Sequence, residues 1–258
     1  AGSHVRSYDG HGFVRINKGE VSQDDINGAI DASIAMKIPS EERILHVLPK
    51  DFVIDGQDGI SEPIGMSGIR LEADVHIVTI SRTAEENIVK SLDQCELDIQ
   101  EVVLEPLASS ISVLSPDEKD LGACLIDIGG GTTDIAIFRD GQIITTKVIP
   151  VGGDHVTRDI AHELKTPVEE AEIIKIEHAS TLSRLNGSDQ HIDVPSVGDR
   201  ETRKTDKKVL ASVVEQRYEE IFEVVKNEVG KTNFENLRAG IILTGGASKL
   251  KGAIDLAE

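Results

Sequence analysis

The run Leu125-Ile126-Asp127-Ile128-Gly129-Gly130-Gly131-Thr132-Thr133-Asp134-Ile135-Ala136-Ile137-Phe138 constrains this chain more than any other. Two apolar, strand-like segments are joined by three glycines and two threonines, so the chain must reverse between two buried strands. Consecutive glycines allow positive φ and bring backbone N–H groups against an anion where any Cβ would obstruct it. The Thr132 and Thr133 hydroxyls add hydrogen-bond donors. Asp127, ending the first strand, is placed to hold a hydrated divalent cation rather than to touch phosphate oxygens. A tight turn with no ligand accounts for three glycines alone; the acidic residue before them and Thr132-Thr133-Asp134 after them favour a phosphate-binding hairpin.

Length and charge bound what surrounds that hairpin. A chain of 258 residues can bury a sizeable core and lies near the size at which one core gives way to two, so one large domain or two to three small ones are expected. The formal charge of −19 disfavours nucleic acid and anionic lipid as direct partners, because both would repel it within a Debye length. Cys95 and Cys124 lie in apolar helix and strand patterns without CxxC or Cys/His spacing, which predicts buried, reduced thiols rather than a disulfide or a metal site. No apolar run is long enough to span a bilayer, and no signal-peptide pattern is present. The first residue is Ala and the last pattern stops inside a helix, so an internal portion of a longer polypeptide is expected.

Periodicity divides the chain into four stretches. In residues 1–82 a strand (Gly12 to Ile16) precedes a helix capped by Ser22, with Asp25 reaching back; Ile26, Ile30 and Ile34 share one face and Ile38-Pro39 ends it. Two β-rich runs follow, Arg43 to Ile54 and Ile69 to Ser81, around a loop from Asp55 to Met66. In the second run Leu71, Ala73, Val75, Ile77 and Thr79 oppose Arg70, Glu72, Asp74 and His76, the alternation of a half-buried strand. Residues 83–115 predict two helices around a short strand, with Ile88, Val89 and Leu92 facing inward. Residues 116–151 and 238–258 hold the hairpin, a tight primed turn at Asp140-Gly141 leading into Ile143 to Ile149, and an apolar strand from Ala239 to Thr244. Residues 152–237 are mostly helical, with a short strand candidate, His191 to Val194, in the polar stretch from Ser183 to Asp206 and a long helix from Thr205 to Val229.

Other constellations carry less. The Arg200 to Lys208 stretch, with Arg203, Lys204, Lys207 and Lys208, has no aromatic neighbours and reads as a solvated loop entering the long helix. Gly65-Met66-Ser67-Gly68 lacks the spacing of a nucleophile elbow, and the eight histidines show no HxxxH or HExxH pattern.

Three segments together resemble the actin, Hsp70 and hexokinase superfamily. The hairpin matches its second phosphate motif, and Val103-Leu104-Glu105-Pro106-Leu107-Ala108-Ser109-Ser110 its first connecting helix. Gly240-Ile241-Ile242-Leu243-Thr244-Gly245-Gly246-Ala247-Ser248-Lys249-Leu250 matches its adenosine motif, where a strand turns through Gly-Gly into a helix. Within that superfamily, Gly2 to Ser7, Leu45-His46-Val47-Leu48-Pro49-Lys50-Asp51-Phe52-Val53-Ile54-Asp55, Pro63 to Ala73, Val148 to Asp154 and Val194 to Gly198 resemble the FtsA family of bacterial cell-division proteins. The family's N-terminal strands with the first phosphate motif, its second connecting helix and its C-terminal amphipathic helix have no counterpart in these residues.

The resemblance implies an α/β fold: an actin-like (ribonuclease-H-like) ATPase lobe with an inserted small α+β subdomain of the 1C, or SHS2, type. Residues 1–82 would be that subdomain, 83–115 inter-lobe helices, 116–151 with 238–258 subdomain 2A, and 152–237 subdomain 2B. ATP and Mg2+ are the implied cofactors, with at most weak hydrolysis. Gly129, Gly130, Gly131, Thr132 and Thr133 would hold the β- and γ-phosphates, Asp127 a Mg2+ through water, and Gly152, Gly153 and Asp154 would close over the phosphates. Glu172 and Lys175 would meet ribose and adenine, although taken alone they read as a solvated salt bridge. Gly245, Gly246 and Ala247 would lie against the purine. Glu105 stands where superfamily hydrolases orient water, and first-turn capping explains it equally well. The implied partners are the tail of the tubulin homologue FtsZ, further copies of the chain in a filament, and later division proteins through 1C. Arg217 and Glu220 would contribute to the tail groove, with a solvated i,i+3 pair as the alternative. The implied location is the cytoplasmic side of the inner membrane at the division site, reached through the C-terminal helix; nucleic acid is not an implied partner. A sugar kinase would need a catalytic Asp beside a sugar pocket, and an Hsp70-like chaperone a different insertion; neither pattern is visible.

Overall fold

The computed structural model describes residues 2, 4–35, 38–185, 190–198, 201–231 and 237–257; Ser3 and Arg200, which the sequence reading used, and Glu258 lie outside the described residues. Contacts divide the chain into two units, one of Ala1–Cys124, Ala136–Val148 and Asn236–Ile241, the other of Leu125–Ile135, Ile149–Glu235 and Ile242–Glu258.

In the first unit, β1 (Val5–Arg15), β2 (Glu42–Ile54), β3 (Gln57–Ile60) and β4 (Arg70–Ser81) form an antiparallel sheet in the order β1-β4-β2-β3. Helix α1 (Gln23–Ile34) packs on β1 and β4, and its Ser22–Asp25 capping box forms as the sequence predicts. Gly12 makes this packing possible, since a Cβ there would stand 2.3 Å from the Ala29 carbonyl oxygen and the Ser33 nitrogen. Leu71, Ala73, Val75 and Ile77 are fully buried against α1, as their alternation requires. The opposite face is less solvated than expected. His76 is 2% exposed and Val78 is fully buried. On the same face as Thr79, Glu42 is buried with hydrogen bonds from Arg6 (3.0 Å), Tyr8 (3.0 Å) and Thr79 (2.6 Å). Inside the predicted loop after Ile54, Asp55 and Gly56 take positive φ and turn the chain into β3, a short strand absent from the sequence reading.

Helices α2 (Arg82–Asp93), α3 (Glu105–Val113) and α4 (Pro116–Leu121) follow in the same unit. Three expectations fail here. Residues 94–104 contain no strand. Helix α2 buries none of its side chains and leaves Ile88 50% exposed, because no described element covers its apolar stripe. Cys95 is exposed, because α2 ends at Asp93 and the chain leaves the helical region at Glu96, where φ is 55°. Cys124 is buried as expected, and burial pushes its thiol up to about 12.

A second four-stranded sheet has the order β10-β5-β6-β7, from β5 (Ala123–Ile128), β6 (Thr133–Arg139), β7 (Gln142–Ile149) and β10 (Gly240–Thr244). Every residue of β5 is buried, which explains its unbroken apolar run. Asp140 and Gly141 both take positive φ, as the primed turn demands. In the second unit, α5 (Gly153–Glu163), α6 (Val168–His178) and α7 (Lys207–Val229) pack around Val156, Ile160, Ala171, Ile174, Val214 and Tyr218, with α8 (Ala253–Ala257) adding Ala253. The polar stretch contains two paired strands, β8 (His191–Val194) and β9 (Arg203–Asp206). The basic run is therefore partly a strand rather than a loop, and α7 begins at Lys207, where Asp206 caps the Lys208 N–H. No helix among the described residues is long and apolar enough to cross a membrane.

Candidate functional site

Strands β5 and β6 are neighbours joined by four residues, too few for a crossover, so they form the expected hairpin. Its turn is closed by the Gly129 N–H donating to the Thr132 carbonyl at 2.9 Å. One part of the sequence expectation for the glycines fails, the positive φ. None of Gly129, Gly130 and Gly131 takes positive φ. The carbonyls of the hairpin dock α5: the Gly153 N–H donates to the Gly129 carbonyl (2.9 Å) and the Asp154 N–H to the Gly130 carbonyl (2.8 Å). A Cβ on Gly152 would lie 2.6 Å from both of those carbonyl oxygens, and one on Gly130 would lie 2.9 Å from the Asp154 carboxylate. The first N–H groups of α5 are thus satisfied by the hairpin. A Cβ at Gly131 would meet nothing within 4 Å.

Thr133 departs from its expected role. It is fully buried and its hydroxyl donates to the Val151 carbonyl at 2.8 Å, so it ties the hairpin to the segment before α5 and has no second proton for a phosphate. Thr132 is only partly buried, and its hydroxyl donates to Asp134 at 2.9 Å. Asp127 is 7% exposed at the end of β5. Gly245, with φ of +90°, passes so close that a Cβ would stand 2.5 Å from an Asp127 oxygen and 2.4 Å from the Ile128 carbonyl. Glycine is required there on both counts.

A cavity of about 380 Å³ opens beside this junction. It brings together eight residues singled out in the sequence: Gly129, Gly130, Gly153, Asp154, Glu172, Lys175, Gly246 and Ala247. Asp127, Thr132, Thr133, Gly152 and Gly245 pack behind its lining, and Gly131 is exposed and does not line it. The volume falls within the range of small-molecule sites.

Glu172 and Lys175 are not a solvated surface pair, for the Lys175 side chain is 11% exposed. Its ammonium contacts the Glu172 carboxylate (2.7 Å), the Thr157 hydroxyl (2.7 Å) and the Gly153 carbonyl (3.1 Å), which uses its three protons. Thr157 in turn bonds Glu172. Burial alone would raise the Glu172 carboxyl, but the bonds from Lys175 and Thr157, with the Lys175 charge, outweigh it and hold the carboxyl below its usual range. Two contributors escaped the sequence reading. Thr157 gives no local signal. Tyr218 falls at core spacing with Val214 on α7, yet lines the cavity and donates its hydroxyl to the Ala247 carbonyl at 2.6 Å. Burial, then the Glu172 charge, push its phenol up to about 12.

The remaining predicted residues lie elsewhere. Glu105 is the exposed first residue of α3, ahead of Pro106, and belongs to the first unit. Arg217 is more than half of an i,i+3 pair: besides Glu220 (2.5 Å) it grips Asp159 of α5 with two nitrogens, at 2.6 and 3.2 Å. The Asp159 bond is the largest cause holding its guanidinium above the usual value. Both residues line a second cavity of about 290 Å³ with Asp159, His162, Glu163, Val213 and Gln216.

A family model described as "Cell division protein FtsA" matches residues 124–258, and one described as "SHS2 domain inserted in FTSA" matches residues 2–79. A cell division protein FtsA from Pseudomonas aeruginosa is 52% identical over 259 residues, covering all of this chain and 62% of that protein. One from Neisseria meningitidis is 47% identical over 260 residues, covering all of this chain and 63% of that protein. The chain therefore spans about three fifths of the length of these relatives. Among solved structures, the PilM-PilN type IV pilus biogenesis complex aligns at a TM-score of 0.62 and 15% identity, over 98% of this chain and 64% of that one. MreB5 of Spiroplasma citri bound to ADP aligns at 0.55 and 23% identity, over 67% of this chain and 55% of that one. These likenesses establish the actin-like α/β fold with an SHS2-type insertion.

Proposed function

Since this chain belongs to the FtsA family of cell-division proteins, we propose that its cavity between the glycine hairpin, the start of α5 and the Gly245–Gly246 turn binds ATP. The observation that carries this reading is the convergence on one cavity of Gly129, Gly130, Gly153, Asp154, Glu172, Lys175, Gly246 and Ala247 from four separate segments. Backbone groups of the hairpin, with the partly buried Thr132, face the phosphates, while Glu172 and the Gly246–Ala247 turn face the ribose and base. Lys175, whose protons are spent on Glu172, Thr157 and Gly153, holds those groups in place. The open space at Gly246, where a Cβ would meet nothing, suits a ligand that approaches the backbone closely.

Mg2+ fits the same site. Asp127 and Asp154 flank the hairpin, and this cation is commonly held by one or two carboxylates together with substrate phosphates and water. When bound it would offset phosphate charge. Titration with a fluorescent ATP analogue tests the reading; absence of saturable binding, with or without Mg2+, would remove it.

The wider role follows the family. We assign residues 1–82 to the 1C subdomain, 83–115 to inter-lobe helices, 116–151 with 238–258 to 2A and 152–237 to 2B. The full-length protein is assigned to filaments on the cytoplasmic side of the inner membrane at the division site, anchored by a C-terminal amphipathic helix. There it tethers FtsZ, whose tail meets the cavity beside Arg217 and Glu220, and recruits later division proteins through 1C. Co-sedimentation of the full-length protein with lipid, ATP and FtsZ tests this assignment.

A further inference from the structure

Tyr218 couples α7 to the turn that follows β10. Its ring sits in the core of the second unit, 6.0 Å from the Phe222 ring centroid, and its hydroxyl reaches the Ala247 carbonyl at 2.6 Å. Ala247 lies in a short stretch with little regular backbone bonding, the 3-10 turn Ala247–Lys249. Next to it, Gly246 takes ordinary right-handed angles, and a Cβ there would be in open space. The backbone bonds of this wall are long, Lys249 N–H to the Gly246 carbonyl at 3.4 Å and Leu250 N–H to the Ala247 carbonyl at 3.3 Å, and its two shorter bonds come from side chains: the Tyr218 hydroxyl on Ala247 and the Ser248 hydroxyl on the Gly245 carbonyl at 2.8 Å.

We propose that Tyr218 is a positioning residue of the nucleotide site, setting the Gly246–Ala247 wall against which the nucleoside lies while leaving the phosphate cradle unaffected. The proposal rests on the nucleotide reading of the cavity. Its physical basis is separation, since the cradle is held by α5 on Gly129 and Gly130, through bonds that do not involve Tyr218. Removing the hydroxyl leaves the ring packing intact and the Ala247 carbonyl without this donor, so the wall loosens where the nucleoside rests.

The composition of the chain gives a direct probe, because it contains two tyrosines and no tryptophan. In Tyr8→Phe, which alters the first unit, all intrinsic fluorescence arises from Tyr218, and adding ADP is expected to change it. In Tyr218→Phe the Kd for ADP should rise about fivefold, the size of one net hydrogen bond. The Kd for inorganic tripolyphosphate should stay within about twofold of the parent. Unchanged Tyr218 emission on ADP saturation of Tyr8→Phe overturns the proposal. So does an ADP affinity unaffected by Tyr218→Phe, or an equal loss for ADP and tripolyphosphate, which marks a general structural role. A parent chain that binds tripolyphosphate but gains nothing from the nucleoside of ADP, or that binds neither, instead overturns the nucleotide reading itself.

Discussion

Replacing Gly152 by Ala tests whether α5 docks on the hairpin because no Cβ stands between them. The backbone angles at Gly152 (φ −163°, ψ −161°) are open to any residue, so the cost is purely steric. The new Cβ would stand 2.6 Å from the carbonyl oxygens of Gly129 and Gly130, and ordinary contact requires each to retreat by about 0.8 Å. That displacement takes the bonds from Gly153 (2.9 Å) and Asp154 (2.8 Å) out of hydrogen-bonding range. Two lost bonds cost ~0.5–1.5 kcal/mol each. Forced repacking adds ~1–3 kcal/mol, and the stiffer unfolded chain returns ~0.4–1 kcal/mol. The net expectation is a destabilisation of about 1–6 kcal/mol, read as a lower urea midpoint by circular dichroism. Gly246→Ala is the matched control: its angles are helical (φ −62°, ψ −41°) and its Cβ meets nothing, so stability should hold or rise slightly while ADP binding weakens. Equal midpoints for Gly152→Ala and the parent would refute the docking argument.

Three further outcomes are expected. Gly130→Asp should abolish ATP-analogue binding, because its side chain starts 2.9 Å from the Asp154 carboxylate and enters phosphate space with a second negative charge; undiminished binding by a folded variant would sink the site. His46 and His76 each accept a backbone N–H at Nε2, from Leu104 (3.0 Å) and Thr146 (3.1 Å), which requires neutral rings. Burial, against the opposing pull of Glu101 and Asp9, lowers both below their ordinary value, so the unfolded chain binds more protons as pH falls through about 6.5. Urea midpoints should fall between pH 7 and pH 5.5, and by less in His76→Gln; an identical pH slope in that variant would contradict the assignment. Glu220→Ala should change stability by less than ~1 kcal/mol, its carboxylate being 56% exposed, yet weaken the FtsZ tail peptide at least about tenfold, checked by fluorescence anisotropy.

What the sequence reveals here depends on whether the physics is local. The Ser22 cap and the Asp140-Gly141 turn are set by neighbours in the chain and appear in the fold as read, while the alternation from Leu71 holds only to Val75, beyond which β4 is buried on both faces to Ile80. The strand β9, Arg-Lys-Thr-Asp, is invisible because polar residues carry no period, and only its pairing with β8 defines it. Ile88 misleads for the opposite reason: its helical stripe is plain, but what would cover it is a tertiary matter. At the site, the glycine hairpin is legible from its local composition, whereas Glu172 and Lys175 come only with the family resemblance, since their spacing alone reads as a solvated pair. Thr157 and Tyr218 act across segments 15 and 29 residues away, on Glu172 and Ala247, so no local pattern could assign their roles.

The order of strands also dictates when this protein can be assembled. The β1-β4-β2-β3 sheet is drawn from one continuous stretch, Val5 to Ser81, and can form as soon as that stretch leaves the ribosome. The hairpin sheet cannot, because β5 borders β10, a strand made after α5, α6 and α7. Until β10 arrives, one edge of the fully buried β5 stands open, an apolar strand with unpaired backbone groups. The cavity beside the hairpin shares this delay, for Gly246 and Ala247 follow β10 closely. A polypeptide stalled before Thr244 would thus carry a finished SHS2-type domain beside an exposed, aggregation-prone strand, and its need for chaperones should end when the last wall of the cavity closes.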